Sequence, residues 1–194
     1  MSGRVCQKEP VMSASTELIP HAVTAADAVR RIAVRLDRVD GSAALRIRWQ
    51  VEGDIARLRL PVQADALRAD GLWQHSCFEV FLQAAHADSY HEFNFAPSGA
   101  WAAYRFAGRR HGRSAPPIPP PRIECAHQPE SFAMTATLPL AVLPECAQSN
   151  ALRAGLAAVI EDERGQLAYW ALAHRSTPPD FHDPATFMMS VPAR

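Results

Sequence analysis

The sequence has no net charge: 20 lysines and arginines stand against 20 aspartates and glutamates. No overall field therefore exists to hold nucleic-acid phosphates or an anionic membrane surface. Long hydrophobic runs are also missing. No stretch approaches the ~20 apolar residues of a membrane span, and Met1 to Pro20 shows no basic patch followed by the apolar run of a secretory signal. The expected location is the cytoplasm, with neither a nucleic acid nor a membrane as partner. Cysteine is sparse, and Cys6, Cys77, Cys125 and Cys146 form no C-x-x-C pair. Neither a disulfide framework nor a cysteine zinc site is suggested by that pattern, and free buried thiols are expected. Lysine is nearly absent, Lys8 being the only one. An arginine-for-lysine bias of this kind reads as codon usage rather than as a binding surface.

What is present is enough apolar material for a core: 48% of residues are hydrophobic and 21% charged, so a disordered chain is excluded. At 194 residues the chain fits one domain and would be cramped for two. Alternating apolar and polar positions predict strands over 31–39, 44–51, 55–61, 77–83, 90–96, 101–106, 132–138, 153–161 and 167–174. Gly41 and Gly53 punctuate the first of these as turns. No window holds an apolar stripe at helical spacing over three turns, although 24–31 and 140–145 each suit a short helical turn. The expected fold is all-β, an antiparallel β-sandwich of the jelly-roll or immunoglobulin-like kind with about nine or ten strands. Residues 1–22 read as a flexible leader, within which Met12 is an alternative start, and 23–194 as the single domain. Residues 107–122 combine arginines with prolines, which cannot donate to a strand ladder, and are expected to form a long exposed loop. Within it, Pro117-x-x-Pro120-x-Arg122 has the form of a polyproline docking ligand, although such runs also arise without a partner.

The chemistry concentrates in two segments, Trp73 to Phe81 and Tyr90 to Trp101. Alternation points Glu79 with Cys77 and Phe81, and Glu92 with Tyr90 and Asn94, while Phe78, Val80, Leu82, Phe93 and Phe95 take the opposite face. Two carboxylates and an amide in mid-strand are costly to bury alone. They either line a ligand face or pair internally with a strand arginine such as Arg105.

The run Trp73-x-x-x-Cys77-Phe78-Glu79-Val80-Phe81 is followed by Tyr90-x-Glu92-Phe93-Asn94-Phe95-x-Pro97-Ser98-Gly99-Ala100-Trp101. Together with Tyr169 to His174 and Pro179 to His182, these resemble the DOMON-like family related to type-9 carbohydrate-binding modules. The resemblance spans most of 70–187. It implies a concave sheet on which Glu79, Glu92 and Asn94 hydrogen-bond sugar hydroxyls and Trp101 stacks on the ring, with Trp73 or Trp170 as a second clamp. Sugar rings have apolar C–H faces that pack on aromatics and hydroxyl edges that need charged or amide partners, so the combination makes physical sense.

The expected function is a non-catalytic binding module for a carbohydrate or similar polar ligand, needing no cofactor. Its expected site is Glu79, Glu92, Asn94, Trp101, Arg105 and Trp73. Three alternatives stay open. One is a haem or metal domain drawing on His174, Asp180 and His182, on His75 near Cys77, or on Met134, Met188 and Met189. Another is a partner-binding adaptor with no small ligand. The third is a glycoside hydrolase using Glu79 and Glu92, since carboxylates on adjacent strands can lie about 5 Å apart.

Overall fold

A computed structural model of the chain describes residues 13–24, 27–39, 44–62, 67–149 and 151–191. Twelve strands stand among these residues, arranged as two antiparallel sheets packed face to face. The expected all-β antiparallel sandwich is the observed fold. One sheet has five strands: β1 (Ser13–Glu17), β3 (Val29–Val39), β4 (Ala44–Gly53), β9 (Ser131–Pro139) and β8 (Arg122–Gln128), in that order. The other runs β2 (Ile19–Pro20), β11 (Leu167–Ala171), β10 (Leu152–Glu161), β5 (Cys77–Ala84), β6 (Tyr90–Phe95), β7 (Trp101–Phe106), with β12 (Met189–Ser190) also paired to β10.

Period-two alternation puts the core where it was expected. Ile32, Val34 and Leu36 on β3, Leu45, Ile47, Trp49 and Val51 on β4, and Phe132, Met134 and Leu138 on β9 form one wall. Phe78, Val80, Leu82, Phe93 and Phe95 form the facing wall with Leu156 and Ile160. Charged residues take the alternate positions of the first sheet, for example Arg31 between Glu17 and Glu52.

Several expectations need correction. Residues 55–61 do not form a strand. Ile55–Arg57 is a single 3-10 turn, after which the chain makes only an isolated bridge from Leu58 to Asp162. The last strand stops at Ala171, three residues short of the expected end. From Ser13 onward the segment expected as leader is strand, because β1 supplies backbone partners to the edge of β3 and β2 to the edge of β11. Residues 1–12, and with them the Met12 start, lie outside the described residues, as does Gly41. The helical turn expected over 140–145 is present as Leu140–Val142 and α1 (Pro144–Gln148).

Candidate ligand-binding groove

The outer face of the seven-stranded sheet carries what the inner face does not. Register pairs Glu79 on β5 with Asn94 on β6, and Glu92 on β6 with Tyr104 on β7. Paired residues share a face, so these four side chains stand together. Glu79 is 3% exposed, Glu92 4% and Asn94 fully buried. The Asn94 Nδ2 donates to Glu92 Oε1 at 2.8 Å, which leaves Asn94 Oδ1 buried and without a partner. Among the described residues no protein group hydrogen-bonds the Glu79 carboxyl.

Burial decides the charge state of this pair. It pushes Glu79 well above the usual carboxylate range, and the neighbouring Glu92 charge adds to the shift, only partly relieved by Arg110. Burial likewise lifts Glu92 to about 7, against the Asn94 hydrogen bond and the charges of Arg110 and Arg113. Both carboxyls are thereby shifted towards the protonated form, which can donate a hydroxyl as well as accept.

Two segments remote in sequence wall the groove. An aromatic cluster stacks Phe81 on Phe187 at 5.4 Å and Tyr90 on Phe106 at 5.0 Å, with His182 edge-on to Phe81 and Phe106. Phe187 reaches the sheet because β10 carries glycine at 155, where a Cβ would lie 2.4 Å from its ring. Tyr90 Oη accepts from the Arg110 N–H at 3.1 Å and donates to His182 Nδ1 at 2.8 Å. Burial, followed by the Arg110 charge, lowers His182 to about 4, so the ring is neutral. Its Nε2–H then faces Glu92 Oε2 at 3.7 Å.

Asp180 clamps the loop on the other side, accepting from Arg109 at 2.7 Å and from Arg110 at 2.8 Å. Burial alone would raise Asp180, but hydrogen bonds from Arg109, the His182 N–H and Arg110 outweigh it and hold the carboxyl at about 2. Arg110 sits at φ 55°, a left-handed conformation that costs a side-chain-bearing residue roughly 1–2 kcal/mol. The same residue lines the groove. Together these elements enclose a cavity of about 480 Å³, lined by Glu79, Glu92, Trp73, Tyr104, Tyr169 and Phe181 among others. That volume lies within the roughly 300–1,000 Å³ of small-molecule sites.

Of the six expected site residues, Glu79, Glu92 and Trp73 line the cavity, and Asn94 lies beneath, bonded to Glu92. Trp101 and Arg105 do not. Trp101 pairs with Phe95, so it shares the inner face of the sheet and packs in the core at 2% exposure. Arg105 follows the same parity and is ion-paired with Glu145 of α1, with His91 on the same carboxylate. It therefore neutralises neither Glu79 nor Glu92. Trp170 is likewise in the core. The indole N–H groups of Trp49, Trp101 and Trp170 are buried without partners, a cost that the packing of their large rings must offset.

Residues raised as metal or haem ligands are scattered. His174 contacts the Ile19 carbonyl at 2.8 Å, His75 contacts Glu161, and Met134 lies in the core between the sheets. Among the described residues no three His, Cys, Asp or Glu side chains group to hold a metal. The proline-rich segment is anchored, since Arg68 donates to the Pro116 carbonyl and Ile118 packs against the core.

The sequence does not mark Tyr104, Arg110, Arg113, Tyr169 or Phe181 as site residues, and it offers His182 only as a metal or haem ligand. Parity identifies Tyr104: if Phe95 and Trp101 flank a hairpin and face the core, Tyr104 faces the same way as Glu92. The others depend on tertiary folding of two loops.

No protein-family model matches the sequence, and no curated protein matches it. Solved structures do. A presumptive carbohydrate-binding protein from Bacteroides uniformis superposes with a TM-score of 0.66 at 13% identity, over 92% of this chain and 84% of that one. The likeness is one of fold. A family 9 carbohydrate-binding module from Caldicellulosiruptor kristjanssonii in complex with glucose matches at a TM-score of 0.47 and 14% identity, over 82% of this chain and 74% of that one.

Proposed function

We propose that this chain is a non-catalytic binding module of the DOMON-like kind that takes a carbohydrate or similar hydroxyl-rich ring in the groove. One observation carries the reading: the Glu79 carboxyl is buried, aimed into a cavity of about 480 Å³, and has no hydrogen-bond partner among the described residues. The Glu79 oxygens open onto the groove, where a bound hydroxyl can take the place of water as their hydrogen-bond partner. Trp73, Tyr169 and Phe181 supply the apolar surface on which a ring's C–H face packs. The fold shared with the Bacteroides uniformis protein, named for carbohydrate binding, supports the same reading.

Trp73 provides the test. The other three tryptophans are packed in the core, so only Trp73, 36% exposed, can report directly on the groove. Titration with mono- and disaccharides should change tryptophan emission saturably in the wild type, and the change should vanish in Trp73→Phe. No response to any sugar from a folded protein would reject the reading. The same raised carboxyls are also the starting point for glycoside hydrolysis. Incubation with 4-nitrophenyl glycosides separates the two, and a binding module releases no 4-nitrophenol.

A further inference from the structure

The charged groups of the groove are layered, and the layering constrains what can bind. The floor holds Glu79 and Glu92, both buried and both shifted by burial towards the protonated form. The mouth holds two exposed arginines, Arg110 and Arg113. These two differ. Arg110 is held by Asp180, as Arg109 is, and Arg105 on the far face is held by Glu145. Arg113 makes no ion pair or hydrogen bond among the described residues. Its guanidinium stands over the ring of Tyr104, with Cζ 4.6 Å from the centroid.

Tyr104 is itself fixed. Its hydroxyl donates to Asp70, and its ring meets Trp73 edge-on at 6.2 Å. An aromatic face held in this way positions the cation above it while leaving the guanidinium N–H groups free to donate. The groove thus presents carboxyl groups at its deep end and, at its mouth, an oriented cation that has no direct ion pair and meets the Glu92 charge only at longer range.

We propose that the groove selects an acidic saccharide, a ring whose hydroxyls meet Glu79 and Glu92 and whose carboxylate or phosphate meets Arg113. This inference rests on the carbohydrate-binding reading and narrows it. A neutral sugar leaves the Arg113 guanidinium unanswered. An amino sugar brings a third cation to a mouth already lined by two. An anionic group on the outer end of the ring is the complement, because guanidinium binds carboxylate and phosphate by paired, charge-assisted hydrogen bonds.

Isothermal titration against D-glucose, D-glucosamine, D-glucuronate, D-galacturonate and glucose 6-phosphate tests this, with Arg113→Met and Arg113→Lys beside wild type. At low salt at least one of the acidic sugars should bind about tenfold or more tighter than glucose, with glucosamine weakest, and about 0.5 M sodium chloride should erode that advantage. The uronates and the phosphate ester show which anion is preferred. In Arg113→Met the ratio of acidic to neutral affinity should collapse towards one, and Arg113→Lys should restore part of it. Equal affinity for neutral and acidic sugars, or a preference that survives Arg113→Met, overturns the inference and leaves the binding module standing. Binding of none of the five overturns both.

Discussion

The two faces of the seven-stranded sheet are made from alternate residues of the same strands, yet they do opposite things. Inward, Phe78, Val80, Phe93, Phe95 and Trp101 pack against the five-stranded sheet. Outward, Glu79, Glu92, Asn94 and Tyr104 hold two carboxyls and an amide with few partners of their own. The inner face spends its residues on stability, and the outer face carries groups that cost stability and have a use only if something binds. Substitutions on the two faces should therefore differ in kind as well as in size.

The largest expected effect lies on the inner face. Phe95→Ala should cost roughly 3–5 kcal/mol, because it opens a cavity against Trp49 and Phe93. Urea denaturation measures it, and a loss under about 1 kcal/mol would mean the two sheets are not tightly packed there.

On the outer face the sign reverses. Glu92 titrates at about 7 in the fold against an ordinary value of 4.5, so its protonated form is favoured in the native state. The stability it contributes is fully present below pH 4.5 and is lost as pH rises through 7. Glu92→Gln should therefore be more stable than wild type at pH 8, by about 1–3 kcal/mol, and close to it near pH 4.5. Thermal unfolding across that range checks the difference. His182, lowered to about 4, also costs stability as pH falls below its ordinary value of 6.5, and because its Nε2–H faces Glu92 Oε2 the comparison is cleanest at pH 8, where the ring is neutral in both proteins.

Alternation alone carried the inner face and the positions of Glu79, Glu92 and Asn94, because side-chain direction in a strand depends only on parity. Trp101 and Arg105 show what is lost when it is not applied: nearness in sequence to the polar strand suggests the groove, whereas the Phe95–Trp101 pairing turns both residues inward. Arg110, Arg113, Phe181 and His182 could not be placed from sequence. They stand in two irregular loops joined by the Asp180 clamp across about 70 positions, and no local pattern encodes that meeting. β1 and β2 were missed because each is an edge strand that owes its form to pairing rather than to burial.

A smaller effect is expected at the clamp itself. Asp180→Asn should lower stability by about 1 kcal/mol, since both arginines it holds are largely exposed, and should weaken sugar binding several-fold by freeing the groove wall. Parallel denaturation and titration would show the two losses together. Unchanged binding would remove the loop from the site. The smallest effect should come from Arg105→Gln. It breaks a half-exposed pair with Glu145, worth under about 1 kcal/mol, on the face turned away from the groove.

The central claim is that ligand recognition belongs to the outer face alone. Isothermal titration of the best-binding sugar against Glu79→Leu and Arg105→Gln, side by side with wild type, tests it most directly. Binding should be lost or weakened at least tenfold in Glu79→Leu, which removes the hydrogen-bonding group altogether, and kept in Arg105→Gln. Binding kept in the first variant and lost in the second would contradict it.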